Sequence, residues 1–184
     1  MLLLFALDIA QPQPAPKLTV DEKTTLSSRE VVVRTSEDDA GNHYLLAVID
    51  VDAPPDVTLN AVLDVEARAK EVSVLESVSL YRDTPTQIGA DYAFDLPGYD
   101  GHFFILYDVD RAKGFAYYST DTSQDNDVES ASGSYQVFPR GQGSRLVYRV
   151  HIEEDGLTPL WVKKALVTRT LPEQIKGIRS RAED

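Results

Sequence analysis

The sequence predicts an α+β fold: a curved antiparallel β-sheet of about seven or eight strands wrapped around a long C-terminal α-helix. Three observations carry that expectation. Alternation of apolar and polar residues at period two begins near residue 29 and recurs in segment after segment, divided by turn formers. Helical spacing occurs in only two places, once early and once over the C-terminal stretch. A curved antiparallel sheet has one apolar face to bury, and a long helix laid along its concave side covers it.

The elements follow in chain order. Residues 1–7 form an apolar run that ends at Asp8 and leads into Gln11-Pro12-Gln13-Pro14-Ala15-Pro16. No Lys or Arg precedes the run and Asp8 interrupts it, so it reads as an export remnant or as an apolar tail docked on the domain. It is too short to span a bilayer. The prolines favour extended chain without backbone donors, which suits a semi-rigid spacer. We therefore expect a tail over residues 1–28 and a folded domain over 29–184. Strands are expected over 30–34, 44–51, 72–81, 87–96, 102–109, 114–120, 134–138 and 145–152. Turns at Asp39-Ala40-Gly41-Asn42, Asp83-Thr84-Pro85, Pro97-Gly98-Tyr99-Asp100-Gly101, Lys113-Gly114 and Gly141-Gln142-Gly143 join them into a meander. The acidic stretch 121–129 reads as a solvated connection.

The first helix is expected after Asp52-Ala53-Pro54-Pro55, with Val57, Ala61, Val62 and Val65 at helical spacing and an end near Lys70. The second starts at Thr158-Pro159 and runs to the end on the stripe Leu160, Trp161, Ala165, Leu166, Leu171, Ile175 and Ile178. Pro172 lies inside it and predicts a kink or a restart, for which Thr170 and Glu173 supply a capping box.

Composition narrows the function. The chain has 184 residues, one domain's worth, with 30 acidic against 18 basic side chains, a net charge of −12 that speaks against nucleic-acid binding. With 42% apolar and 26% charged residues the composition is that of a soluble globular domain. The absence of cysteine excludes disulfides, thiolate metal sites and thiol nucleophiles. The three histidines lack metal-ligand spacing, and no nucleophile elbow, P-loop or dinucleotide fingerprint is present. No catalytic residue, metal or cofactor is therefore assigned, and the chain reads as a non-enzyme. His102 beside Asp100 comes nearest to a base with an orienter and reads as an exposed loop histidine. His43 and His151 fall out of phase with the inward positions, Asp50 and Asp64 read as structural, and Arg149 points outward. We expect a monomer; cytoplasmic and exported or periplasmic locations both stay open.

The ordered motifs carry a resemblance. Ile49-Asp50-Val51-Asp52-Ala53-Pro54-Pro55-Asp56-Val57 and Ala61-Val62-Leu63-Asp64-Val65-Glu66 resemble the strand, Ala-Pro turn and first helix of the START-like (SRPBCC, helix-grip) superfamily. Val72-Ser73-Val74-Leu75-Glu76-Ser77-Val78 and Leu96-Pro97-Gly98 are similar to its next strand and mid-sheet loop. Gly133-Ser134-Tyr135-Gln136-Val137-Phe138-Pro139 and Arg145-Leu146-Val147-Tyr148-Arg149-Val150-His151-Ile152 resemble its last two strands. Asp155-Gly156-Leu157-Thr158-Pro159-Leu160-Trp161 and Thr170-Leu171-Pro172 resemble the gripping helix. The chain departs from the pattern at Ala69-Lys70-Glu71, where many relatives carry an aromatic, and lacks the arginine often seen after the Pro-Gly loop. The resemblance implies binding and transfer of a sterol, phospholipid, fatty acid or similar lipid in a hollow between sheet and terminal helix. The alternatives it leaves are a polyketide aromatase/cyclase-like enzyme and a non-catalytic assembly module.

The most apolar phase of each strand selects the residues that would line the hollow: Tyr92, Phe94, Phe103, Ile105, Tyr107, Phe115, Tyr117, Tyr135, Val137, Leu146, Tyr148 and Val150, closed by Trp161, Ala165 and Leu166 from the helix. Tyrosine and tryptophan suit an apolar site with a few polar handles better than a sealed core does. A gate is expected at Pro97, Gly98, Tyr99 and Gly101, at the start of the first helix and at the terminal helix. Between Thr158 and Arg181, the cations Lys163, Lys164, Arg169, Lys176, Arg179 and Arg181 face Glu173 alone, a local +5 that suggests transient contact with an anionic membrane.

Overall fold

In the computed structural model, which describes residues 8–37, 43–96, 99–127, 130–151 and 160–184, one antiparallel sheet holds β1 (Val32–Glu37), β2 (His43–Val51), β3 (Leu75–Asp83), β4 (Gln87–Leu96), β5 (Tyr99–Asp110), β6 (Phe115–Thr120), β7 (Ser132–Arg140) and β8 (Gly143–His151). The side chains of residues 8, 96, 99, 100 and 160–169 lie outside the description. The spatial order is β1-β2-β8-β7-β6-β5-β4-β3, so β3 to β8 form the expected meander and β2 closes it against β8. Helices α1 (Val20–Ser27), α2 (Pro55–Leu63), α3 (Arg68–Glu71) and α4 (Leu160–Glu183) complete the chain.

Burial on the inner face follows from the helical spacing of α4. Leu171, Ile175, Ile178 and Ala182 are buried and join Ile49, Val62, Tyr135 and Leu146 in the main core. The helix continues through Pro172, where the sequence predicted a kink or a restart. Glu173 does not turn back to cap a new start; its carboxylate accepts from the Ser73 backbone N–H at 2.9 Å and from the Ser73 hydroxyl. The cations of this half are also engaged internally. Lys176 pairs with Glu30 at 3.3 Å, Arg179 donates to the Arg29 carbonyl, and Arg181 holds Glu71 and the Ala61 carbonyl. The other three cations expected on this helix, Lys163, Lys164 and Arg169, have side chains outside the description.

The early helix is shorter than the sequence predicts. Helix α2 stops at Leu63 with Asp64 as its C-cap, and the separate turn of α3 follows at Arg68. Thr58 of α2 meets Ser144 of β8 at 2.7 Å, a buried hydroxyl pair that fixes the helix to the sheet. The acidic connection after β6 does more than carry solvated charge. Asn126 Oδ1 accepts from Phe104 N–H and Asp127 Oδ2 from His102 N–H, both at 2.8 Å, so the loop satisfies the part of β5 that extends past β6.

The outer face is covered by the N-terminal segment, which the sequence casts as a tail or spacer. Ile9 is buried, and Leu18 and Leu26 pack with Val32, Leu46, Val48 and Val147 in a second apolar cluster. Helix α1 was not foreseen. Thr19 and Glu22 form its capping box, Thr19 N–H donating to Glu22 Oε2 at 2.7 Å and Glu22 N–H to Thr19 Oγ1 at 3.2 Å. Just past its C-cap Ser28, Arg29 has φ 61° and bridges Asp52 and Glu183, which ties the strap to the end of α4.

One glycine is demanded by close approach. Register sets Gly133 opposite Tyr118, and a Cβ at Gly133 would lie 2.4 Å from the Arg149 carbonyl oxygen and 2.5 Å from the Tyr118 hydroxyl. Only a bare Cα lets the Tyr118 ring cross β7 toward Tyr148. We expect Gly133→Ala to lower unfolding stability by about 3 kcal/mol in urea titrations, because the backbone carbonyl cannot give way. An unchanged midpoint would show that the ring relocates freely.

Candidate functional site: an arginine ringed by tyrosines

The inner face of the sheet is built around a residue that the sequence reading passed over. Arg68 is 2% exposed. Because α2 ends at Leu63, the chain turns before α3 and directs the Arg68 side chain beneath the sheet instead of along a solvated helix face. Nη1 donates to the Tyr92 hydroxyl at 2.8 Å and the Tyr107 hydroxyl at 2.5 Å, and Nη2 donates to the Val62 carbonyl at 2.8 Å. The guanidinium carbon lies 5.4 Å from the Tyr107 ring centroid and 5.3 Å from that of Tyr135, both within cation–π range. Nε is buried without a partner. No carboxylate pairs with Arg68 among the described residues, so the charge is held by two phenol oxygens, the Val62 carbonyl and two ring faces.

Strand register assembles the ring. Tyr135 lies opposite Tyr148, and Tyr107 opposite Tyr118. Directly opposed residues share a face of the sheet, so four strands deliver their tyrosines to one patch. Tyr135 and Tyr148 stack at 4.2 Å with an interplanar angle of 1°. The Tyr118 and Tyr148 hydroxyls meet at 2.7 Å, as do those of Tyr92 and Tyr107. Gln174 of α4 donates to the Tyr135 hydroxyl. The partly buried side chains of Leu45, Leu75, Phe103, Ala131 and Val150 border this patch and give it an apolar margin.

The predicted lining residues are therefore placed unevenly. Tyr92, Phe94, Ile105, Tyr107, Tyr135, Val137, Leu146 and Tyr148 are buried, with Phe103 and Val150 at the margin. Tyr92 stacks on Phe103 at 5.0 Å, and Phe94 lies 5.7 Å from the same ring. On β6 the expected parity is reversed. Ala116 and Tyr118 belong to the inner core, while Phe115 and Tyr117 lie opposite Gln136 and Ser134 on the outer face. Adjacent tyrosines hide the phase of β6, and the small Ala116 opposite Tyr135 is the one signal that could have revealed it. Trp161, Ala165 and Leu166 fall in α4 with side chains outside the description. Of the expected gate, Pro97 and Gly98 lie outside the described residues, whereas Tyr99 and Gly101 belong to β5 and not to a loop. Arg68 follows Ala61 and Val65 at intervals of four and three, a continuation of the apolar stripe that marks it as inward.

The remaining candidates stand apart from this patch. His102 pairs with Asp91 at 3.1 Å on an exposed surface, and that hydrogen bond raises its pKa. His151 Nδ1 contacts the His43 carbonyl at 3.2 Å. No cluster suited to a metal exists among the described residues. A groove of about 550 Å³ between Arg29, Glu71, Lys176 and Glu183 is lined by charges already engaged: Arg29 pairs with Glu183, Lys176 with Glu30 and Glu71 with Arg181. Asp50 is structural, clasped by Arg145 at 2.7 and 3.0 Å and by Arg140 at 3.1 Å.

Burial dominates the electrostatics of the patch. It pushes the phenols of Tyr92, Tyr118, Tyr135 and Tyr148 well above the ordinary value. Burial also opposes the charge on Arg68, but the surrounding tyrosines prevail and hold its pKa well above the ordinary value. At neutral pH the patch is a fixed cation with protonated phenols, able to donate hydrogen bonds but not to accept a proton as a base. Because the four phenols keep their protons in the folded chain where the unfolded chain loses them, stability is full below about pH 10 and falls as pH rises beyond it. Urea midpoints should stay level from about pH 7 to 9 and drop above about pH 10. Phenolate absorbance from these four side chains should rise only with unfolding; its appearance in the folded chain would contradict this account.

No protein-family model matches the chain, and no curated protein matches it in sequence. Solved structures do. The STAR-related lipid transfer protein (fragment 25–204) from Xanthomonas axonopodis superposes with a TM-score of 0.61 at 19% identity, over 84% of this chain and 93% of that one. The Zhui aromatase/cyclase from Streptomyces sp. R1128 gives 0.62 at 19% identity, over 76% and 93%. A START superfamily protein from Mycobacterium smegmatis gives 0.60 at 18% identity, over 77% and 98%. The chain thus has the helix-grip fold of the START-like superfamily, in which an antiparallel sheet curves around a C-terminal helix.

Proposed function

We propose that the protein binds a hydrophobic ligand with one oxygen-bearing polar end between the inner face of the sheet and α4, and carries or transfers it. The observation that supports this is Arg68: a buried guanidinium with an unpartnered Nε, no carboxylate partner among the described residues, and partly buried apolar side chains packed on the same core. A buried cation without a counter-charge is costly to maintain for stability alone, since an apolar residue of similar volume would serve as well or better. A ligand carboxylate or carbonyl offers it the missing acceptor. Fatty acids, and sterols or phospholipids presenting an oxygen, fit this description. Burial of about 400 Å² of apolar ligand surface contributes roughly 10 kcal/mol gross, enough for micromolar binding after association costs.

Resemblance to the aromatase/cyclase favours a second reading, in which Arg68 and the Tyr107 hydroxyl steady an enolate oxygen. Against it, no Asp, Glu or His is buried among the described residues, so the described part of the patch offers no buried base.

The test pairs mass spectrometry of an organic extract of the purified protein with fatty-acid titrations of Arg68→Met. The extract should contain lipid. The variant should remain folded and bind fatty acid at least about tenfold more weakly, the loss expected for one charge-assisted hydrogen bond. Equal affinity in the variant would remove Arg68 from the reading, and an extract free of lipid together with no fatty-acid binding would end it.

A further inference from the structure

The outer face of the sheet holds a second buried guanidinium, and its partners are poor. Arg149 of β8 is 3% exposed. Register sets it opposite Ser134 of β7, which in turn lies opposite Tyr117 of β6. These residues alternate with the inward tyrosines, so they share the outer face. The sequence reading sends Arg149 outward; the structure sends it outward and then buries it. Arg149 hydrogen-bonds Tyr44 and reaches the Pro14 carbonyl only at 3.5 Å. Its Nη1 is buried without a partner, and so is the Ser134 hydroxyl, whose residue is 0% exposed. No carboxylate pairs with Arg149 among the described residues. Burial consequently lowers its pKa, with Tyr44 opposing the shift.

Among the described residues, the roof over this seat is tied to the sheet at Gln13, Pro14 and Lys17. Residues of the N-terminal segment cross the sheet here, with Gln13 N–H donating to Gln136 Oε1 at 3.0 Å and the Lys17 carbonyl accepting from Arg34 Nη2 at 3.2 Å. Pro12, Pro14 and Pro16 have no N–H to contribute. Segments fastened by few hydrogen bonds open at a small fraction of the global unfolding free energy.

We infer that this seat is an oxyanion-binding site that the strap covers: when residues 9–18 lift, Arg149, Ser134 and Tyr44 bind a phosphate group. The guanidinium fork matches two phosphate oxygens, and the two hydroxyls donate to the rest. Strap and phosphate are alternatives, because in the closed state the strap excludes solvent from Arg149 Nη1. Free phosphate and a phospholipid headgroup present the same chemistry. The site is separate from the Arg68 patch, since it lies on the opposite face of the sheet.

Hydrogen exchange of the full chain, read on peptides covering residues 9–18, tests this. Inorganic phosphate is compared with chloride at matched ionic strength, and phosphatidic acid vesicles with phosphatidylcholine vesicles. Phosphate at about ten times its dissociation constant raises the open population about tenfold, so strap amides should exchange about tenfold faster while those of β7 and β8 stay unchanged. Acceleration by phosphate alone identifies the free ion as the ligand; acceleration by phosphatidic acid vesicles identifies the headgroup. Arg149→Met should abolish the response and slow strap exchange in chloride, because the strap then covers an apolar seat. Ser134→Ala, which removes one donor without adding volume, should weaken the response and serves if Arg149→Met does not fold. No acceleration by either source, or equal acceleration in wild type and variants, would overturn the inference.

Discussion

A guanidinium sealed under the curved sheet sets the conditions for the rest of the molecule. Removing a charge from water is expensive, and among the described residues no carboxylate pairs with Arg68 to offset that cost. Two phenol oxygens, a backbone carbonyl and two ring faces stand in for it. Each substitute requires something of the fold. The phenols must come from neighbouring strands in phase, the carbonyl from the end of a helix that stops at Leu63, and the rings from strands curved enough to approach one side chain. Gly133 belongs to the same requirement, since any side chain there would block the Tyr118 ring.

The sheet has apolar cover on both faces, where an antiparallel sheet commonly leaves one face to solvent. Helix α4 covers the inner face through Leu171, Ile175 and Ile178, and the N-terminal strap covers part of the outer face through Ile9, Leu18 and Leu26. Alternation along β7 and β8 therefore delivers residues to two different interiors. Tyr135 and Tyr148 enter the inner one, Ser134 and Arg149 the outer. Arg29 joins the two covers, because its side chain leaves the end of α1 and meets Glu183 at the end of α4. Each face consequently holds a buried arginine, Arg68 within and Arg149 without, with a donor that no described group satisfies.

Strand positions were legible because period-two alternation is a local property. The observed β4 coincides with the expected 87–96, β2 and β6 differ from expectation by one residue at one end, and β8 begins two residues earlier and ends one earlier. Inward parity was equally legible on β4, β5, β7 and β8, where large apolar and polar residues alternate clearly. It failed on β6, where Tyr117 and Tyr118 are neighbours of one type and only the partner strands distinguish them. The end of α2 was missed because the apolar spacing continues past Leu63 through Val65, although the helix itself does not.

What the amino-acid sequence determined by itself is the list of elements, their order, and the curved sheet with a terminal helix, since each depends on residues a few positions apart. What the tertiary structure alone decided is which charges are buried. Helical spacing turns Arg68 inward and strand alternation turns Arg149 outward, but nothing within a few residues of either states that tyrosines from other strands or a proline-rich strap will close over it. Burial is a sum over distant neighbours, and desolvation turns two unremarkable arginines into the chemically expectant points of the protein.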